Sequence, residues 1–532
     1  MHPFKTKSLH AAVLAALGAL GVAAPAHAVH INPDGLGQVL IYPYYTVRND
    51  NVTALSIINT TTLTKAVKVR FLEGKNSREV MDFNLFLSPA DVWTGVVLST
   101  ADGTRLETGD NSCVTPSDLF GNAAGVIRAD GSGLPLNSFK NFLYTGIRTD
   151  NPTFNTLDRT REGYIEVIEM GIVVDATLTG YIKHNAAGVP ANCAALDGYD
   201  ALSGSVAPSI KFPGNYLASP GGGLTGRASI FNSPYGINYT YDATALDGWW
   251  APITPAPGNV PYSAAGVATP AIALQAGIDT VSYVMIPGTP GGVVRAVWAS
   301  PREAVSAVFM RDLIVNEFVT DAGTLSRSDW VVTMPTKRDH IGVGFGTSNR
   351  PFANGFADTT ATGACDAYVL GIYNREEGTI STPAGVILPA TRPPGVTTPG
   401  QVLCWEANVV EFGKTGLLGS TNNFRLQGAA DGFAAIGATT TGAANTTFSR
   451  RGVQGPNGWA FMAFGATGQA IQTQQSITPL SATLNGVVIN GTHYGLPVIG
   501  AMFHNYTNTG VASSYGGVIP HKYTRNIHLG QP

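Results

Sequence analysis

Residues Val67–Leu87 read VKVRFLEGKNSREVMDFNLFL, and their pattern limits the fold more than any other stretch. In Val67-Lys68-Val69-Arg70-Phe71 apolar residues alternate with charged ones. Met81, Phe83, Leu85 and Leu87 then alternate with Asp82, Asn84, Phe86 and Ser88. A period of two sends successive side chains to opposite faces of a strand. The intervening EGKNSRE is polar and carries Gly and Asn, so the pair predicts a hairpin with one buried and one solvated face. Lys68, Arg70, Asp82 and Asn84 share a face. The stretch holds seven charged side chains in twenty-one positions, in a chain that is only 13% charged. A catalytic cluster, a ligand-binding face and the wet side of a sheet all compete to explain that density. Alternation favours the wet side, where cross-strand pairs of opposite charge contribute ~0.2–1 kcal/mol each.

The rest of the chain fits a mostly β protein. Its 532 residues include 63 Gly and 33 Pro, which punctuate turns, among recurring runs of Val, Ile, Thr and aromatics. VLIYPYYTV, TALSIIN and DVWTGVVLS, together with the hairpin, predict a β-sandwich over residues 29–115. Residues 116–290 alternate β runs (GYIEVIEMGIVV, GINYTYDATAL, TVSYVMIPG) with loops, of which SPGGGLTG and APITPAPGNVPYSAAGVATPA are the loosest. A second β-rich part spans 291–532. One helix is expected there, because Ser300-Pro301-Arg302-Glu303 is a capping-box sequence with Pro at the first helical position. The following AVSAVFMRDLIVNEF suits a buried helix or a strand almost equally. No internal repeat of fixed period is visible.

The N-terminal module LIYPYYTVRNDNVTALSIINTTTLTKAVKVRFLEGKNSREVMDFNLFLSP resembles immunoglobulin-like domains of exported bacterial surface proteins. In these a strand with hxNTT precedes xxVxVxF and xxFxLxLxP. It is also similar to a group of exported proteins of Gram-negative bacteria, an impression that EGYIEVIEMG and SDWVVTMPTKR share. The resemblance implies an immunoglobulin-like sandwich at the N-terminus and a place on the cell surface. It brings no catalytic residues.

Residues 1–28 read as a signal peptide: Lys5 and Lys7 start it, Ala11 to Ala24 form its apolar stretch, and Ala26-His27-Ala28 offers the small-x-small cleavage pattern. Cleavage is expected between Ala28 and Val29. No later run is long and apolar enough for a spanning helix. The formal charge of −3 leaves neither a nucleic-acid footprint nor an acidic tail. The four cysteines, Cys113, Cys193, Cys365 and Cys404, are expected as disulfides in an exported chain. Three pairings are possible. Sequential pairing, Cys113–Cys193 and Cys365–Cys404, staples one loop region in each half, and the second would tether the Pro/Gly-rich STPAGVILPATRPPGVTTPG. A zinc site lacks any CxxC or CxxH spacing.

Motifs that carry chemistry are weak. Gly221–Gly226 matches GxGxxG, yet neither a clear strand before it nor a helix after it is evident. Gly413-Lys414-Thr415 resembles the tail of a phosphate loop, but Asn408 stands where the first glycine belongs. Glu166 and Glu169 are an odd number apart, so a regular strand separates their faces; one exposed and one ion-paired glutamate is expected. His493, His504, His521 and His528 lack ligand spacing and read as surface and turn residues. Trp249 and Trp250 offer an aromatic contact for a sugar or partner protein, with core packing at a loop base favoured.

Together these features predict a secreted, non-enzymatic structural or adhesive protein of the cell surface, without cofactor or metal. Its expected partners are further copies of itself or other surface components, with polysaccharide as an alternative. A secreted polymer-binding protein or hydrolase, and an outer-membrane β-barrel, are the competing readings. The barrel is disfavoured by irregular strand spacing and by the ending NIHLGQP.

Overall fold

The structure is a computed structural model. It describes residues 27–120, 133–150, 154–201, 216–251, 260–273, 277–286, 289, 291–321, 323–341, 349–352, 364–375, 401–412, 416–428, 447–453, 457–464, 475–507 and 514–532. The signal-peptide stretch before His27, Gly413–Thr415 and the segment STPAGVILPATRPPGVTTPG lie outside these residues. The chain is mostly β.

The hairpin forms as its alternation requires. Lys65–Glu73 pairs antiparallel with Glu79–Leu87, with Lys68 opposite Asn84 and Arg70 opposite Asp82. It belongs to an eight-stranded sheet ordered His30–Ile31, Thr244–Asp247, Val39–Thr46, Glu162–Val173, Lys65–Glu73, Glu79–Leu87 and Cys113–Thr115, with Leu217–Ala218 on the Glu162–Val173 strand. A five-stranded antiparallel sheet, ordered Ile237–Asp242, Leu224–Asn232, Asn51–Asn59, Val92–Thr100 and Gly103–Glu107, packs against it. Val67, Val69, Phe71, Phe83 and Leu85 meet Leu55, Ile57, Trp93, Val97 and Ile230 in the shared core. The division expected at residue 115 runs through the larger sheet. Glu162–Val173 lies between Val39–Thr46 and Lys65–Glu73, so residues 29–115 do not complete that sheet by themselves.

The expected wet face is buried. The larger sheet is covered on both sides: against the five-stranded sheet on one face, and on the other by two further clusters. Val39, Ile41, Tyr164, Ile168 and Leu246 pack on Trp249, Trp250, Trp298 and the helix Pro301–Phe309. Ala66, Phe86 and Met170 pack on Leu178, Ile182 and Leu196, from the helices Ala176–Ile182 and Ala194–Ala201. Over the charged rows lies the segment around Ala264: Lys68 Nζ donates to Ala264 O at 2.6 Å, and Asn84 Nδ2 donates to Ser263 O at 2.9 Å. Alternation separates two faces, but it does not say which one meets water.

In the second half, a six-stranded sheet containing Arg327–Thr333, Ala407–Phe412 and Ala501–Tyr506 packs on a five-stranded sheet containing Leu313–Val319, Asp366–Asn374 and Asn457–Ala463. Trp330, Val332, Val410, Phe412 and Met502 face that second core, while Val331, Val409 and Phe503 face the first. The six-stranded sheet is therefore the layer through which the two halves share their interiors. Among the described residues every sheet has two free ends in its strand order, so none closes into a barrel. No helix among them is long and apolar enough to cross a membrane.

The capping box forms, with Ser300 N–H donating to Glu303 Oε2 at 3.1 Å. Both readings of the next stretch hold in part, since the helix ends at Phe309 and Leu313–Val319 is a strand. The cysteines pair sequentially, Cys113–Cys193 and Cys365–Cys404. The helix Ala176–Ile182 was not expected. Its signal is Asp175, whose carboxylate accepts the N–H groups of Thr177 and Leu178 as a side-chain N-cap.

Candidate functional site

The site with the greatest concentration of polar chemistry is an ionic seam between the halves, built on the turn that joins the hairpin strands. Glu73 ends the first strand, and its carboxylate accepts the backbone N–H groups of Lys75, Asn76 and Arg78 at 2.7, 2.9 and 2.9 Å. A carboxylate collecting three local donors fixes a turn as an N-cap fixes a helix. Glu73 also meets Arg159, Nε to Oε2 at 2.6 Å. Arg159 reaches Asp150 with both terminal nitrogens, at 2.7 and 2.9 Å, and lies over the Tyr144 ring. Asp150 further accepts from Asn76 Nδ2 and Arg78 Nε. Burial raises the Asp150 carboxyl, but hydrogen bonds and charge from Arg159 outweigh it and hold the group below its ordinary range.

Glu162 is the second node. Arg48 Nε, Tyr44 OH, Ser420 Oγ, Thr421 N–H and Thr421 Oγ1 all donate to it, at 3.0, 2.8, 2.5, 2.9 and 2.7 Å. Against burial, Arg48 and then Lys75 keep this carboxyl low. The donors come from both ends of the chain, so this glutamate ties the first sheet to residues 420 and 421. Nearby, Ala407 N–H donates to Gly74 O at 2.9 Å and Arg338 Nη1 donates to Asn76 O at 3.0 Å.

Lys75 lies deeper. Its Nζ is 4.5 Å from the centroids of both the Phe154 and Trp405 rings and 2.5 Å from Asn422 Oδ1. Burial, with Arg159 and Arg48 nearby, lowers this ammonium to about 8 against the pull of Glu162 and Glu73.

The seam continues over the charged face of the sheet. Arg70 pairs with Glu79 and Glu166, each at 2.6 Å, and Lys68 with Asp82 at 3.0 Å. Burial pushes Glu166 up to about 7 although Arg70 draws it down, with Asp339 adding to the rise. Glu406 is pushed up to about 8, again chiefly by burial. All seven charged residues of the opening stretch thus have internal partners.

Neither strand glutamate is exposed. Glu169 pairs with Lys65 at 2.7 Å, and both side chains are fully buried. The strand is irregular at this point: Val67 faces Glu169, while Ala66 faces Gly171. Glu169 also accepts the N–H groups of Gly221 and Gly222 at 3.0 and 2.7 Å. The first half of the GxGxxG stretch therefore closes around an internal carboxylate, with Gly222 and Gly223 at φ +75° and +82°, and its second half begins the strand Leu224–Asn232.

Trp249 and Trp250 are buried rather than presented as a platform; Trp249 Nε1 donates to Ile272 O at 2.9 Å. An aromatic pair with one exposed ring lies elsewhere. Tyr373 and Trp459, opposite each other on adjacent strands, stack with centroids 4.4 Å apart, and Trp459 is 41% exposed. The histidines also differ from expectation. His493 and His521 are buried, and burial lowers each to about 4. His528 is exposed, and His504 is half-buried. Among the described residues no three His, Cys, Asp or Glu groups are placed to hold a metal ion.

The seam suits cohesion better than turnover, since its ions face one another. Compared with known proteins, the chain matches no family model, no curated protein and no solved structure.

Proposed function

We propose that this chain is an exported, non-enzymatic structural or adhesive protein of the bacterial cell surface, acting through its own copies or other surface components. One observation carries the reading: the seven charges of the Val67–Leu87 stretch are all engaged inside the fold, leaving none of them to a substrate. Two disulfides and dense sheet structure are in keeping with an extracellular setting. The signal-peptide pattern of residues 1–28 and the resemblance of the N-terminal module to immunoglobulin-like surface domains support the same place. Cell fractionation followed by negative-stain microscopy of the released protein tests the reading. Surface association or ordered assemblies are expected; a purely intracellular chain contradicts it.

A polymer-binding role is the second reading, favoured by the exposed Trp459 stacked on the half-buried Tyr373, since aromatic rings with one wet side suit sugar contacts. Retardation of the protein by polysaccharide gels, lost in Trp459→Ala, would shift the assignment to it.

A further inference from the structure

Lys75 and Asn422 stand 347 residues apart in sequence, yet the Lys75 Nζ lies 2.5 Å from Asn422 Oδ1, with both residues buried. The Asn422 amide is held by one end only. Its oxygen faces the lysine, while its Nδ2 is buried without a hydrogen-bond partner. That nitrogen lies against Gly74, where a Cβ would come within 2.6 Å of it. A buried, unpartnered amide N–H₂ is costly, about 1–3 kcal/mol, and such groups in native structures call for an explanation. Phe154 and Trp405 flank the amine, and Glu162 and Glu73 are the carboxylates whose charges act on it.

We infer that Lys75 and Asn422 are joined in the mature protein by an intramolecular isopeptide bond. Burial has weakened the Lys75 ammonium's hold on its proton, which is first lost to solvent to leave the neutral amine. The free amine then attacks Asn422 Cγ, forming the Nζ–Cγ bond. The Cγ–Nδ2 bond breaks as one of the two Nζ protons passes to the departing nitrogen, which leaves as ammonia and regains the first proton from solvent to become ammonium. In balance, one ammonium and one primary amide become one secondary amide and one ammonium ion, with no oxidant or other reactant. The nitrogen that leaves is the one the fold does not hold. The product replaces a buried charge by a neutral amide between two aromatic rings, and it bonds the hairpin turn covalently to the second half.

Intact-mass measurement of the full exported chain tests this without any variant. The expected mass is that of the two-disulfide chain less one ammonia. Proteolysis after reduction should yield one branched peptide joining the residue-75 and residue-422 segments. A chain of undiminished mass, with linear peptides carrying unmodified Lys75 and Asn422, would overturn the inference. So would an ammonia loss that maps to a succinimide at Asn422 or to any other residue. Lys75→Arg keeps the charge but cannot form the bond, so it should restore the undiminished mass; persistence of the loss in that variant would also overturn the inference.

Discussion

Arg70 lies between two carboxylates, its Nε 2.6 Å from Glu79 and its Nη1 2.6 Å from Glu166, and all three side chains are buried. Removing the arginine leaves two desolvated carboxylates without their counter-ion. Breaking a buried pair in this way costs about 3–5 kcal/mol. Arg70→Ala should therefore destabilise the chain by that order in urea unfolding. Arg227, paired with Asp242 on the surface, should change stability by less than ~1 kcal/mol when replaced by Ala. Similar costs for the two variants would contradict the buried assignment.

Phe83 is fully buried against Trp93 and Phe120, with ring centroids 5.6 Å away in each case. Phe83→Ala should cost about 3–5 kcal/mol, through lost transfer energy and the cavity left behind. In this protein the charged face and the apolar face of the hairpin are expected to cost about the same to disrupt.

Glu406 sets a pH dependence. Burial raises its carboxyl to about 8, so the folded chain holds this proton where an unfolded chain has lost it. Its contribution to stability is complete below the ordinary carboxylate range and is lost as pH rises toward about 8. Glu406→Gln should match the wild type at about pH 5 and exceed it by ~1–3 kcal/mol at about pH 9, read from thermal or urea unfolding at each pH. An unchanged gap between the two proteins across that range would exclude a raised carboxyl.

Both cystines should be complete in exported protein. Thiol labelling under denaturant should find no free cysteine, and the double replacement of Cys113 and Cys193 by Ala should cost about 2–5 kcal/mol. Two reactive thiols in the exported chain would contradict the pairing.

Much of the architecture was legible in local pattern. The hairpin, the face shared by Lys68, Arg70, Asp82 and Asn84, and the capping box at Ser300 follow from spacing and residue type, and the sequential cystines are one of the three pairings four cysteines allow. The seam was not. Lys75 meets Asn422, and Glu162 meets Ser420 and Thr421, across several hundred residues that no short window relates. Burial of the charged face is illegible for the same reason. Period two marks Lys68 and Asn84 as opposite to the apolar rows, but the cover over them comes from Ala264 and Ser263, far along the chain. The irregular pairing at Glu169 likewise removes the simple parity argument for two glutamates three residues apart.

The central claim is that the seven-charge stretch is the interior of a seam and not a solvated loop. Amide hydrogen exchange on the full chain tests it most directly, read at the turn Gly74–Arg78 and at Ser420–Asn422. The Glu73 carboxylate holds the turn amides of Lys75, Asn76 and Arg78, and Glu162 holds that of Thr421. The account predicts strong protection of both segments, opening together as one unit. Exchange of the turn at the rate of an open loop, while 420–422 stays protected, would contradict it.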